Sequence, residues 1–155
     1  MSVAISAREN ILDNIVSALA AIAADGSSYN YTPGLCQLGL LNYAAVPEDK
    51  FPALFVAGAD EKRSNNTNME FRSDLTVSVV GYVKASDAAD SPLLERQLSR
   101  LIRDVTKRLM LDVTRGGYAT FTQIEEIDTD KGSWEGFAGF EMTVRCQYRA
   151  ASATP

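Results

Sequence analysis

"IEEIDTDKGSWEGFAGFEMTVRCQYR" spans residues 124–149. Two segments of alternating apolar residues flank a short piece holding three acids and two glycines. A calcium loop here would need acids or amides at positions one, three and five, glycine at six and glutamate at twelve, between two helices. Counting from Asp128, position three is Asp130, but five is Gly132, six is Ser133 and twelve is Gly139. The match fails, and the flanks have strand period. Residues 137–149 put Phe140, Met142, Val144, Cys146 and Tyr148 on one face, with Glu141, Thr143, Arg145, Gln147 and Arg149 on the other. That is a half-buried strand. With residues 118–128 as its partner, the acidic piece becomes a hairpin tip, since its residue types tolerate turn geometry.

Upstream of the hairpin lies a strong helical pattern. Ser91 stands as N-cap and Pro92 takes the first position, where a missing N–H removes no bond. Leu94, Leu98, Leu101, Ile102, Val105 and Leu109 then form one stripe, and the helix ends near Leu111, before Arg115-Gly116-Gly117. A first helix opens on Ser6-Ala7-Arg8-Glu9, a capping box, and aligns Ile11, Leu12, Ile15, Leu19 and Ile22. Asp25-Gly26-Ser27-Ser28 stops it, with Gly26 as the left-handed cap. Between the helices, residues 29–41 are strand-like but interrupted by Pro33-Gly34. Residues 51–57 are a short apolar strand, and 75–85 alternate with Leu75, Val77, Val79 and Val83 on one side. The polar stretch 58–68 has no period and reads as a mobile loop. The order is α-β-β-β-α-β-β, so we expect an α+β fold: a mostly antiparallel sheet of about five strands with two helices against it. Residues 1–149 form a single domain, and 150–155 a flexible tail.

The bulk properties suit that picture. The chain has 155 residues, 46% of them hydrophobic and 23% charged, ordinary values for one soluble globular domain. No apolar run approaches the ~18 residues of a membrane span, and the N-terminus lacks the basic and apolar regions of a signal peptide. Cys36 and Cys146 are too few for a disulfide framework and read as buried thiols in a reducing compartment. With no histidine, a serine or cysteine nucleophile would have no imidazole base, and a zinc set is incomplete. Glu125 and Glu126 are adjacent on a strand and should point to opposite faces. Asp128 and Asp130 could share a side only at an exposed tip. The glycines of "GLCQLG" and "RGGYAT" lack the spacing of phosphate-binding fingerprints. We therefore expect no catalytic residue, no cofactor and no metal. Net charge is −5 with a pI near 4.7, which argues against sequence-independent DNA binding.

One charged feature stands out. Arg96, Arg100, Arg103 and Lys107 recur at helical spacing, away from the leucine stripe. They should face away from the core, left for water or for an acidic protein partner. Nucleic acid is a weaker match, because no aromatics interleave with them.

Four stretches carry a family resemblance: "RENILDNIVSAL" with "YTPGLCQLGLL", "FPALFV", "LTVSVVGYVKA" leading into "LERQLSRLIRDVTKRLMLDVTRGG", and "GFEMTVRCQYR". Together they cover most of residues 6–149, and the chain resembles the tail terminator (tail completion) proteins of long-tailed bacteriophages. The resemblance implies a virion structural protein assembled in the host cytoplasm. It would form a homo-oligomeric ring, usually of six subunits, on the head-proximal end of the tail tube. There it would stop tube growth and join the tail to the neck. Implied partners are the tube protein, a neck or head-closure protein and, in contractile tails, the sheath. DNA would only pass through the lumen, and no membrane is involved. Neighbouring neck (stopper) or minor tail subunits are the alternative; outside phages, it is a small ligand-binding or enzymatic α+β domain. The interaction residues expected are Arg96, Arg100, Arg103 and Lys107 on the helix, and Asp128, Asp130, Lys131 and Trp134 at the tip.

Overall fold

Ser6 opens the first helix as its spacing predicts, its Oγ accepting the Glu9 N–H at 3.1 Å. A computed structural model describes residues 3–85, 91–130 and 136–153 of the chain. Helix α1 (Ala7–Ala20) buries Ile11, Leu12, Ile15 and Leu19, and Ile22 just beyond it. Its end differs from expectation. The C-cap is Ala21 in right-handed geometry, and Gly26, at φ +77°, serves a later turn instead.

Five strands follow the expected order: β1 (Leu35–Leu38), β2 (Ala53–Asn65), β3 (Glu70–Lys84), then, after helix α2 (Ser91–Met110), β4 (Phe121–Thr129) and β5 (Phe137–Ala151). They form one sheet in the order β1-β2-β3-β5-β4, parallel between β1 and β2 and antiparallel elsewhere. The fold is α+β, with both helices on one face. Leu54, Val56, Leu75, Val77, Val79, Val83, Met142 and Val144 face the helices, as the period-two pattern requires. Helix α2 closes the core with Leu98, Leu101, Val105 and Leu109, all at 0% exposure. Each such side chain contributes about 2 kcal/mol of burial.

Gly81 marks the tightest point of this face. It lies between Leu54 and Phe140 in register, and a Cβ there would sit 2.3 Å from the Phe140 ring. A glycine inside a strand thus makes room for an aromatic on its neighbour.

Four expectations need correction. Only residues 35–38 of the 29–41 segment are a strand, because 25–34 fold as a loop over α2 instead. The 58–68 stretch is not a loop: β2 continues to Asn65, past a bulge between Gly58 and Glu61, and a tight turn brings the Asn66 and Thr67 N–H groups to Glu70 O. Ladder pairing satisfies polar backbone whatever the side chains are, so a strand running beyond its helices has no apolar period to read. The strand expected over 118–128 begins only at Phe121, because residues 113–118 turn around Arg115. At the C-terminus, β5 runs through Ala151, and the Ser152 N–H reaches Met69 O at 2.8 Å, so this part of the presumed tail belongs to the sheet.

The opposite face carries a small second core that the pattern did not announce. Val46, Ala53, Phe55 and Tyr82 are buried there, under the 39–50 connection between the two parallel strands. Tyr82 donates to Leu41 O at 3.0 Å, and Tyr43 stacks at a tilt on Phe137, 4.9 Å between centroids.

Candidate interaction surfaces

Along α2, Arg96, Arg100 and Arg103 are exposed and Lys107 is half-buried. The expectation that all four are left for water or a partner is corrected by the 25–34 loop, which lies along the same side. Arg103 Nη1 donates to Ser28 O at 2.9 Å. Lys107 Nζ donates to the same carbonyl at 3.3 Å and lies 5.0 Å from the Tyr29 ring centroid, a cation–π contact. Arg100 hydrogen-bonds the Tyr31 side chain, whose pKa burial raises and Arg100 partly lowers. Arg96 joins no ion pair among the described residues.

The anchor of this loop is Asp104, which sequence reasoning missed. It is fully buried beside the leucine stripe. It accepts the Asn30 N–H at 2.8 Å, the Asn30 side-chain amide at 3.0 Å and the Tyr31 N–H at 3.0 Å, with Arg103 Nη1 at 3.3 Å. The only local signal was an acid at the border of an apolar face; its loop partners, Asn30 and Tyr31, lie more than seventy residues away in the chain.

The loop's own entry is a second carboxylate turn. Asp25 Oδ1 accepts the N–H groups of Ser27, Ser28 and Tyr29 at 2.9, 2.6 and 3.0 Å. Those backbone bonds, Tyr29's first, hold its pKa at about 2 against an ordinary 3.8. A depressed carboxylate stabilises the folded turn above its ordinary pKa, and that contribution disappears as pH falls through the folded value. We expect the amide NMR signals of Ser27, Ser28 and Tyr29 to move together between pH 4 and about 2, while α2 amides stay in place. Loop amides unmoved over that range would contradict the turn.

At the far side of the sheet, β4 is an edge strand. Its register slips between Ile124 and Glu126, a bulge at Glu125. The expectation that Glu125 and Glu126 point to opposite faces therefore fails. Glu125 meets Arg145 at 3.0 Å, off the hydrogen-bond direction, and Glu126 pairs with Thr143 on the same strand face. Asp128 lies directly opposite Glu141, and Glu141 opposite Val80, so these acids occupy the face away from the helices. Ser78 Oγ donates to Glu141 at 2.7 Å. A groove of about 340 Å³ brings Asp128 and Asp130 together with Glu141, floored by Leu40, Val80 and Tyr82. Asp130 also closes the hairpin, its N–H donating to Gly139 O at 3.1 Å. Lys131 and Trp134 lie outside the described residues.

A third polar cluster is half-buried. Glu61 accepts from Ser73 Oγ at 2.6 Å and from the Tyr148 hydroxyl, with Arg63 at 3.6 Å and Arg8 at 4.0 Å. Burial pushes its carboxyl up, but these donors and charges outweigh it and hold the pKa below the ordinary value. Gly58 leaves the space that the Arg8 guanidinium fills, so α1 is tied to the β2–β3 hairpin. Burial raises the Cys36 thiol to about 11, which leaves it protonated at neutral pH. Among the described residues no helix is long and apolar enough to cross a membrane, and no group of three or more acids and thiols could hold a metal ion. No protein-family model matches the chain, and no curated protein matches it in sequence.

Proposed function

We propose that the chain is a ring-forming structural subunit of the bacteriophage tail-terminator type, joined head to tail through patches of opposite charge. One observation carries this. The exposed arginines of α2 stand on the helical side of the sheet, whereas Glu126, Asp128 and Glu141 form an acidic patch at the tip end of the other face, which carries Arg145 and Arg149 farther along β5. Two different, complementary patches on one chain make a heterologous contact, which closes into a ring when the rotation between neighbours permits. The groove floor adds apolar area on which an arginine stem can lie while its guanidinium meets the acids. In a tail, the ring would cap the tube and meet the neck protein.

Rim charges of this kind set orientation and association rate more than affinity, and salt screens them. Purified protein at high concentration and low salt should show concentration-dependent association by sedimentation velocity. Added salt should reduce it, and negative-stain images of the associated fraction should show closed rings. A chain that stays monomeric at low salt, or associates more strongly as salt rises, would contradict the charge-paired contact.

A further inference from the structure

We propose that the cleft between α1, the C-terminal end of α2 and the following turn binds an oxyanion, a phosphate or carboxylate group, through Arg115 and Arg108. The cleft measures about 350 Å³, at the small end of ligand sites, and is lined by Asn14, Ser17, Ala18, Arg108, Asp112 and Arg115. Arg115 is completely buried, on a backbone with φ of +50°. One nitrogen, Nη2, donates to Leu109 O and Asp112 O and so caps the end of α2. The other two, Nε and Nη1, are buried without a hydrogen-bond partner among the described residues.

A buried guanidinium normally faces a carboxylate. Asp112 is near in sequence, but its oxygens are occupied by the Thr114 N–H at 3.0 Å, the Thr114 hydroxyl at 2.6 Å and the Gly116 N–H at 2.8 Å. Arg115 joins no ion pair among the described residues. Arg108 lines the same cleft, and among the described hydrogen bonds it donates only from Nε, to Ala18 O at 2.9 Å. Asn14 and Ser17 add an amide and a hydroxyl, one turn apart on α1. Two planar forks with unspent donors match the oxygens of a phosphate or carboxylate, and that pairing is stronger than a neutral hydrogen bond. The site lies apart from the charged faces invoked for ring formation and stands whether or not the ring does.

The test uses the full chain with nitrogen-labelled arginine. Inorganic phosphate, acetate and chloride are titrated separately at constant ionic strength while the arginine Nε–Hε signals are followed by NMR. Saturable shifts of the Arg115 and Arg108 signals with phosphate or acetate, absent with chloride, are expected; which anion saturates first identifies the preferred oxyanion. Arg108→Gln should weaken binding by about tenfold or more, the loss of one charged donor. Arg108 also caps Ala18, so Ser17→Asp is the second variant. It is exposed, should fold normally, and sets a repelling charge at the mouth. Identical responses to all three salts would overturn the proposal, as would phosphate and acetate affinities unchanged in both variants.

Discussion

Replacing Asp104 by alanine is expected to lower the stability of the chain by about 3 kcal/mol, the consequence of leaving buried donors without their acceptor. Two backbone N–H groups, of Asn30 and Tyr31, and the Asn30 amide converge on this carboxylate. None has another acceptor in place once the carboxylate is gone, and Arg103 loses its counter-charge. At roughly 3 °C per kcal/mol for a chain of this size, the melting temperature should fall by about 9 °C. Asp104→Asn keeps one carbonyl oxygen and should fall by less. Asn30→Ala, which removes only a side-chain donor, should fall least. A loss within 1 kcal/mol for Asp104→Ala would mean that the 25–34 loop is held by something else. The effect should also reach the surface, because Arg103 and Lys107 take their positions from Ser28 in the same loop.

That pair of observations shows where the sequence was informative. Residues 137–149 alternate without interruption, and β5 buries Phe140, Met142, Val144, Cys146 and Tyr148 as that alternation demands. The leucine stripe of α2 and the capping box of α1 are equally local signals, written within one or two turns. What escaped notice depends on distant partners. Asp104 finds Asn30 across 74 residues and Glu61 finds Tyr148 across 87, and no local pattern marks such a pair. The second core under residues 39–50 needs the crossover that places Tyr43 above Tyr82 and Phe137, a matter of topology and not of period. The far half of β2 looks like a loop in sequence because "DEKRSN" at residues 60–65 has no apolar alternation; its strand is held by backbone pairing to β3. The charged stripe was legible as a stripe, yet its partial engagement by the loop was not.

The engagement of Arg103 and Lys107 also decides which cations are available to a neighbour. Arg96 and Arg100 are the exposed members that hold no backbone carbonyl of the 25–34 loop in the described hydrogen bonds. Reversing both, Arg96→Glu with Arg100→Glu, should leave the melting temperature within a few degrees, since surface changes of this kind fall within about 0.5 kcal/mol each. The double change turns two positive charges into two negative ones, a four-unit change, against the acidic patch of the next copy, and self-association at low salt should be lost. The complementary change, Glu126→Lys with Asp128→Lys, should abolish association by the same repulsion. Like charges facing each other across a contact oppose binding as strongly as opposite ones favour it.

Mixing these two variants tests the central claim, that one chain carries two complementary faces joined head to tail. Each variant alone should sediment as monomer at low salt. A chain carrying both reversals has its charges exchanged at every contact, so it should associate again, to rings of the wild-type size. Mixing the two single-face variants pairs unaltered arginines with unaltered acids at one contact and reversed with reversed patches at the next, and should restore rings in which the two variants alternate. Recovery both in the doubly reversed chain and in the mixture is the predicted result; association by either variant alone, or none in the doubly reversed chain or the mixture when the wild type associates, would contradict it.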